Sequence, residues 1–567
     1  MSKHLIQVTI GPVQEFIASA RKLRDLWFGS DLLSELSKTV ARSLKEQGAD
    51  LIFPFAASDN DLKTGSSLIV ANKIMAELSE ELSPADVIAN ARNAWVAHRN
   101  EVAEQTIEHI RKIGKIRINE ALYQKQVSDS GEFFAAWVEL TDDYKDSKAS
   151  LEKLLAGRKN LREFNAPAWE GTNIPKNSLD GIREAVTGEN QEAIRGLIKK
   201  NEKLDTLGCI KRFYPLSSGR GKHFDDLSNI AITPWLKGFE GSTHTALLQK
   251  FVSHFSDENQ NANVEISLEK YADCFYLERK ELKKHGALKD YTALKRILGE
   301  EPQKYACILV GDGDHMGKSL DRIETVEGHR AFTRHLGEFT KKIDETIRHY
   351  EGSLIYAGGD DIMAYVPLHT IVDCADAIRK KFSDSMETIY SELKLSGDQP
   401  TFSIGVAVVH HSMPLDQALN TARKAESIAK NEGGRNALAM IQSKRGGGDL
   451  TVHDKWEIPD AEGIVSRFGA ICELYKAGKL PATLGYQLRT ARIDAGDDLK
   501  FKMSDDGKIT VPLNAASASV IRIFDQKAHG ESLKTLLLHQ TSIRKLSDEL
   551  VVARQIANAQ KMSRGER

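Results

Sequence analysis

The sequence predicts an α+β protein with two related sheet-and-helix domains, an intervening helical module and a helical C-terminal domain. Three observations predict it. Residues 301–445 run in the order β-α-β-β-α-β with a further helix and strand, which is the split βαβ arrangement. The N-terminus repeats the start of that order, and residues 450–567 alternate helical periods with few strand signals. The expected domains are 1–165, 166–300, 301–445 and 450–567, and 567 residues hold them at roughly 150 per domain.

Residues 5–10 alternate as a strand and stop at Gly11-Pro12. An amphipathic helix then runs to about residue 44, and short strands at 51–55 and 67–70 read as a hairpin. Residues 75–125 and 143–205 are charged and helical, and 206–300 is mixed. In the third domain the apolar run 305–310 reads as a buried strand that stops at Gly311-Asp312-Gly313-Asp314. Phe332, Leu336, Phe339, Ile343, Ile347 and Tyr350 recur at spacings of three or four, so they share one helical face. Strands at 353–357 and 362–366 flank Gly358-Gly359-Asp360-Asp361, a hairpin signal. A second helix carries Val372, Ala375, Ile378, Phe382, Met386, Ile389 and Leu393. A strand at 402–409, a helix at 415–431 and a strand at 436–441 complete the domain, and Gly446-Gly447-Gly448 reads as its exit linker.

Lys plus Arg is 78 against 80 for Asp plus Glu, a net charge of −2, so any nucleic-acid contact is local rather than driven by a global basic field. Hydrophobic residues at 41% and charged residues at 28% argue against wholesale disorder. No stretch approaches the ~18 uncharged apolar residues of a membrane span, so a soluble, cytoplasmic protein with no membrane partner is expected. Cys209, Cys274, Cys307, Cys374 and Cys472 are isolated from one another and form no C-x-x-C pair, which leaves neither a disulfide framework nor a readable zinc ribbon.

The chemistry concentrates in three carboxylates. Asp312 is expected just past the end of the domain's first strand, with Asp360 and Asp361 at the hairpin tip 48 residues later. In a split βαβ sheet the first strand lies beside that hairpin, so the three converge. Carboxylates so placed repel without cations, and hard oxygen ligands select Mg²⁺ or Mn²⁺ over zinc. Two such ions lower the pKa of an attacking hydroxyl and neutralise a triphosphate. Gly358 and Gly359 would let the backbone approach a nucleotide, and Lys318, Lys430 and Arg435 are candidate phosphate ligands. Taken alone, Gly-Gly-Asp-Asp reads more readily as a surface turn than as a site; the upstream Gly-Asp-Gly-Asp and the element order reverse that. The N-terminal echo has Gly11-Pro12-Val13-Gln14 where the later domain has carboxylates, so it cannot build the same site.

Gly358-Gly359-Asp360-Asp361, Ser403-Ile404-Gly405-Val406-Ala407 and Ala429-Lys430-Asn431-Glu432-Gly433-Gly434-Arg435-Asn436 are similar to the palm domains of class III nucleotidyl cyclases, diguanylate cyclases and polymerase relatives. Ile10-Gly11-Pro12-Val13-Gln14-Glu15-Phe16-Ile17, Ala20-Arg21-Lys22 and Asp25-Leu26-Trp27-Phe28-Gly29-Ser30-Asp31-Leu32-Leu33-Ser34 narrow the match. They resemble the signature of the large subunit of Cmr-type, type III-B CRISPR effector complexes. The similarity recurs at Arg158-Lys159, Arg162-Glu163-Phe164, 176–184, Lys211-Arg212-Phe213 and 305–441.

The resemblance implies two ferredoxin-like palm domains facing each other, a zinc-bearing helical module between them and a C-terminal domain docked on small subunits. It implies a cyclic-oligoadenylate synthase: target RNA paired with the guide RNA activates the palm, which joins ATP 3′–5′ with release of pyrophosphate. Asp312, Asp360 and Asp361 would hold two metal ions, and Asn72 falls near an element facing the second palm. Partners would be guide RNA, target RNA and the other Cmr-type subunits.

Two departures from the pattern are expected to matter. The palm signature begins at residue 10, which leaves no room for the histidine-aspartate nuclease domain of many relatives, and His453-Asp454 reads as an ordinary dipeptide beside a linker. Relatives carry Cys-x-x-Cys where this chain has Asn177-Ser178-Leu179-Asp180, so no zinc is expected. The alternatives are a diguanylate-cyclase-like enzyme using GTP, opposed by Ile362 where that family has Phe, and a catalytically silent RNA-binding scaffold. Arg111-Lys112 with Lys115 and Arg117, Arg158-Lys159 with Arg162, and Arg220-Gly221-Lys222 are candidate RNA-phosphate contacts.

Overall fold

The computed structural model describes residues 3–13, 16–17, 19–161, 171, 173–188, 192–194, 197–218, 226–240, 244–255, 268–458, 462–503, 509–527, 534–537 and 540–566. Strands β1 (His4–Gly11), β2 (Asp50–Phe53), β3 (Lys73–Leu78) and β4 (Glu132–Glu139) form a sheet in the order β2-β3-β1-β4. Strands β5 (Tyr305–Asp314), β6 (Ser353–Gly358), β7 (Asp361–Pro367), β8 (Thr401–His410), β9 (Ala437–Gln442) and β10 (Leu450–Lys455) form a second, in the order β10-β9-β8-β5-β7-β6. Only β8 and β9 run parallel in it. A short third pair, β11 (Phe501–Met503) and β12 (Ile509–Pro512), lies in the C-terminal part.

The two-residue period of a strand sends successive side chains to opposite faces, and β5 uses both. Cys307 and Leu309 enter a core with Phe332 and Phe339 of the helix Val326–His349, Ile378 and Phe382 of the helix Ile371–Glu392, and Leu550 and Ile556 of the helix Ile543–Ser563. Ala306, Ile308 and Val310 enter a different core, shared with Ile6, Val8 and Ile10 of β1 and Leu26 and Phe28 of the helix Leu23–Glu46. One face of the larger sheet is therefore bound into the packing of the smaller one. Arg330 adds polar pins between them, pairing with Asp50 at 2.6 Å and donating to the Leu51 carbonyl at 3.0 Å.

Several elements differ from the sequence expectation. β5 continues through Gly-Asp-Gly-Asp, so Asp312 lies inside the strand, opposite Ser403, rather than past its end. The partner of β2 is β3, not residues 67–70: the Ser34 hydroxyl accepts from the Val70 amide at 2.9 Å and takes that N–H out of any ladder. β4, an aromatic-rich run after Gly131, is an additional strand, antiparallel to β1. Residues 446–448 connect two paired strands rather than leaving the sheet. The segment 450–455 reads alternately, with Leu450 and Val452 inward, and adds β10 to the edge ahead of the helical tail. His453-Asp454 sits in that strand, His453 at 3.7 Å from Glu432 and Asp454 at 2.9 Å from Arg467.

The helix Thr206–Ser217 of the expected intervening module packs into the first sheet's core instead of standing apart. Its Arg212, fully buried, donates two bonds of 2.6 Å to the Asp25 carboxylate and one of 3.1 Å to Glu202. Among the described residues no helix is long and apolar enough to cross a membrane.

Candidate active site

The hairpin β6–β7 closes in a two-residue loop, Gly359-Asp360, between the paired Gly358 and Asp361. Gly359 has φ +79°, the left-handed conformation that a glycine supplies at the first central position of such a turn. Gly311 of β5 pairs with Ile362 of β7, so the next residues along the two strands, Asp312 and Asp361, are neighbours on the face turned toward the smaller sheet. Asp360 packs against β5 itself: a Cβ on Gly313 would lie 3.0 Å from the Asp360 Cβ.

The helix Leu415–Asn431 brings a cation to this edge. Lys430 donates to the Asp312 carboxylate and pairs at 2.6 Å with Glu426, one turn earlier. Gly405 permits the approach, since a Cβ there would stand 2.0 Å from the Glu426 amide nitrogen. Burial lowers the Lys430 pKa, but hydrogen bonds to Asp312 and Glu426 outweigh it and hold the ammonium above its ordinary value.

The carboxylates move the other way. Burial first, then repulsion from Asp312, push Asp360 up to about 6 and Asp361 up to about 7. A hard-oxygen donor set whose charges repel one another suits a divalent cation. In this arrangement Lys430 supplies the compensating charge at Asp312, and among the described residues no three His, Cys, Asp or Glu side chains close around a single point.

Asp314, which the sequence reading passed over, is fully buried two residues beyond Asp312 on the same face. It accepts from Thr401 Oγ1 at 2.8 Å, Ser403 Oγ at 2.8 and 2.9 Å, the Asn436 amide at 2.9 Å and Arg435 at 3.3 Å. The turn after Lys430 is thereby tied to β5 and β8. Its signal in the sequence was the i, i+2 spacing of the two aspartates.

The other candidate residues disperse. Arg435 contacts Asp314 at 3.3 Å through one guanidinium nitrogen. Lys318 is exposed on the short helix Met316–Leu320. Asn72 lies in the smaller sheet, where its side chain and carbonyl bracket Ile10 at 3.1 and 2.9 Å. Gly358 does not open the backbone to a ligand: a Cβ there would be 1.7 Å from the Tyr356 hydroxyl, so that phenol occupies the space. Of the basic clusters, Arg111 is engaged by Glu120 at 2.8 and 2.9 Å, while Arg162 and Arg220-Gly221-Lys222 lie outside the described residues. Where cysteines were missing, Asn177 donates to Asp180 at 3.1 Å within a turn.

Residues 305–439 match the family model of the Cas10/Cmr2 second palm domain, and residues 5–123 match that of the CRISPR-associated protein Cmr2 N-terminal region. A relative, the CRISPR system Cmr subunit Cmr2 of Pyrococcus furiosus, is 24% identical over 560 residues, covering 80% of this chain. This chain spans 63% of that relative's length. The fold is shared with a type III-B Cmr-beta complex in its apo state, with TM-score 0.60, 12% identity, 87% of this chain and 75% of that one. It is shared also with Cmr-beta bound to cognate target RNA, with TM-score 0.57, 13% identity, 94% of this chain and 83% of that one. With one family match at each sheet and a common fold, the chain is similar to the Cas10/Cmr2 large subunits of Cmr-type complexes along both of its sheet domains.

Proposed function

We propose that this chain is the nucleotidyltransferase subunit of a cytoplasmic, RNA-guided Cmr-type complex, and that pairing of target RNA with the guide RNA activates it to join ATP 3′–5′ into cyclic oligoadenylate. The observation that carries the reading is that Asp312 and Asp361 are neighbours across β5 and β7, with Asp360 in the adjoining turn and Lys430 bonded to Asp312. The family similarity supports the complex, and a similar Cmr-beta assembly is bound to cognate target RNA.

Asp312, Asp360 and Asp361 are the residues that would hold Mg²⁺ or Mn²⁺; when bound, the cations supply charge neutralisation at a triphosphate and a lower pKa at an attacking hydroxyl. The chain's own part is positional. Asp314 fixes the turn behind Lys430, Gly405 seats the helix Leu415–Asn431, and Lys430 carries a fixed positive charge able to pass from Asp312 to a phosphate oxygen.

The test is the double substitution Asp360→Ala/Asp361→Ala in the assembled complex, given target RNA, Mg²⁺ and either ATP or GTP. ATP conversion should collapse while RNA affinity stays unchanged, because removing mutually repelling carboxylates leaves the core intact. Unchanged conversion would remove the site. Conversion of GTP instead of ATP would favour the diguanylate-cyclase-like alternative, and a wild-type complex that binds RNA but converts neither would favour the scaffold.

A further inference from the structure

Tyr356 belongs to none of the roles assigned above, yet the strand is deformed to present it. Along β6, Leu354 pairs with Ala364 and Tyr356 with Met363, so Ile355 is an extra residue in a bulge. A bulge re-aims the side chains beyond it, and such bulges concentrate beside active sites. Here it places Tyr356 on the same face as Gly358 and Asp361. Its ring lies over Gly358, whose missing Cβ leaves the hydroxyl its room, and its flank packs on the core shared by the two sheets. The hydroxyl makes no hydrogen bond among the described residues, and the residue is only part-buried. Tyr356 pairs with Met363 and Gly358 with Asp361, so the ring lies on the Asp361 face, at the next same-face pair along the hairpin.

We propose that Tyr356 is a substrate-contacting residue of this site, whose hydroxyl donates a hydrogen bond to an oxygen of the bound nucleoside triphosphate. The inference rests on the nucleotidyltransferase reading above. It explains three features together: the bulge that turns the side chain, the glycine that makes room for it, and an O–H left unsatisfied among the described residues. The neighbouring carboxylates offer acceptors in excess, and a neutral donor at a nucleotide's oxygen complements them without adding charge.

The experiment compares wild type, Tyr356→Phe and Gly358→Ala in the assembled complex with target RNA and Mg²⁺, reading equilibrium binding of ATP, its conversion and the thermal midpoint. Tyr356→Phe removes only an O–H that bonds nothing among the described residues. The midpoint should therefore stay put, while kcat/KM for ATP falls about two- to tenfold, mainly through KM. Gly358→Ala, which evicts the hydroxyl from its seat, should show at least the same loss. A wild type that converts ATP alongside a Tyr356→Phe variant of equal kcat/KM would overturn this inference and leave the nucleotidyltransferase reading standing. A lowered midpoint with unchanged KM would overturn it likewise, in favour of a packing role. A wild type that neither binds nor converts ATP would overturn both.

Discussion

Among the buried side chains whose polar atoms lack partners, His329 faces another part of the chain. It is 1% exposed on the helix Val326–His349, edge-on to the Tyr144 ring at 5.3 Å, with neither ring nitrogen hydrogen-bonded to a side chain. Burial, helped by the nearby Lys148 ammonium, lowers its pKa to about 4. The native state thus refuses a proton that the unfolded chain accepts near 6.5, so the contribution is complete above 6.5 and lost as pH falls toward 4. Integrated over that window it amounts to about 3 kcal/mol. Denaturant midpoints at pH 7.5 and 5.0 should show wild type losing more stability than His329→Leu; equal losses would mean the imidazole titrates normally. At this scale Asp312, Asp360, Asp361 and Lys430 were legible in the sequence because charge is a property of the residue. Tyr356 and Asp314 were not, since a phenol's free O–H and a carboxylate's four donors exist only once strands pair.

The helix Leu415–Asn431 shows how an element is positioned by what it lacks a neighbour for. Gly405 on β8 lets the helix backbone close onto the sheet, and Lys430 reaches Asp312 only because of that closeness. Gly405→Val would drive Cβ into the Glu426 backbone, which cannot rotate away as a side chain can, and overpacking of this kind costs about 1–3 kcal/mol or more. We expect the variant to lose thermal stability and ATP conversion together. Gly317→Ala, with nothing within 4 Å of the added methyl, serves as the control and should lose neither. Helices were the more legible elements, because a 3.6-residue period over two dozen residues is redundant; the helix predicted at 415–431 has those bounds. Short strands were less so. β10 and β4 each offer only six to eight residues of pattern, and their pairing decides what they are.

Over the whole molecule, the two sheets share a core, so they should not respond to damage separately. Leu26, Phe28, Ile308, Val310 and Leu419 belong to one buried cluster that runs from the helix Leu23–Glu46 through β5 to the helix Leu415–Asn431. Leu26→Ala would open a cavity there, at about 2–5 kcal/mol. Hydrogen exchange should then quicken in β5 and Leu415–Asn431 as well as in β1. Faster exchange confined to β1–β4 would show that the sheets open as independent units.

The sequence by itself determined the fold class, the duplicated βαβ order, the three carboxylates and the family resemblance, because these rest on local periodicity and on residue types at fixed spacings. Only the tertiary structure decided where β5 ends, that Arg435 contacts Asp314, that Gly358 makes room for a phenol, and that 450–455 joins the sheet. Each of those depends on which surface lies opposite: Arg435 and Asn436 reach Asp314 across more than a hundred residues of chain, and even Gly358 and Tyr356, close in the chain, meet only because the strand bulges between Leu354 and Tyr356.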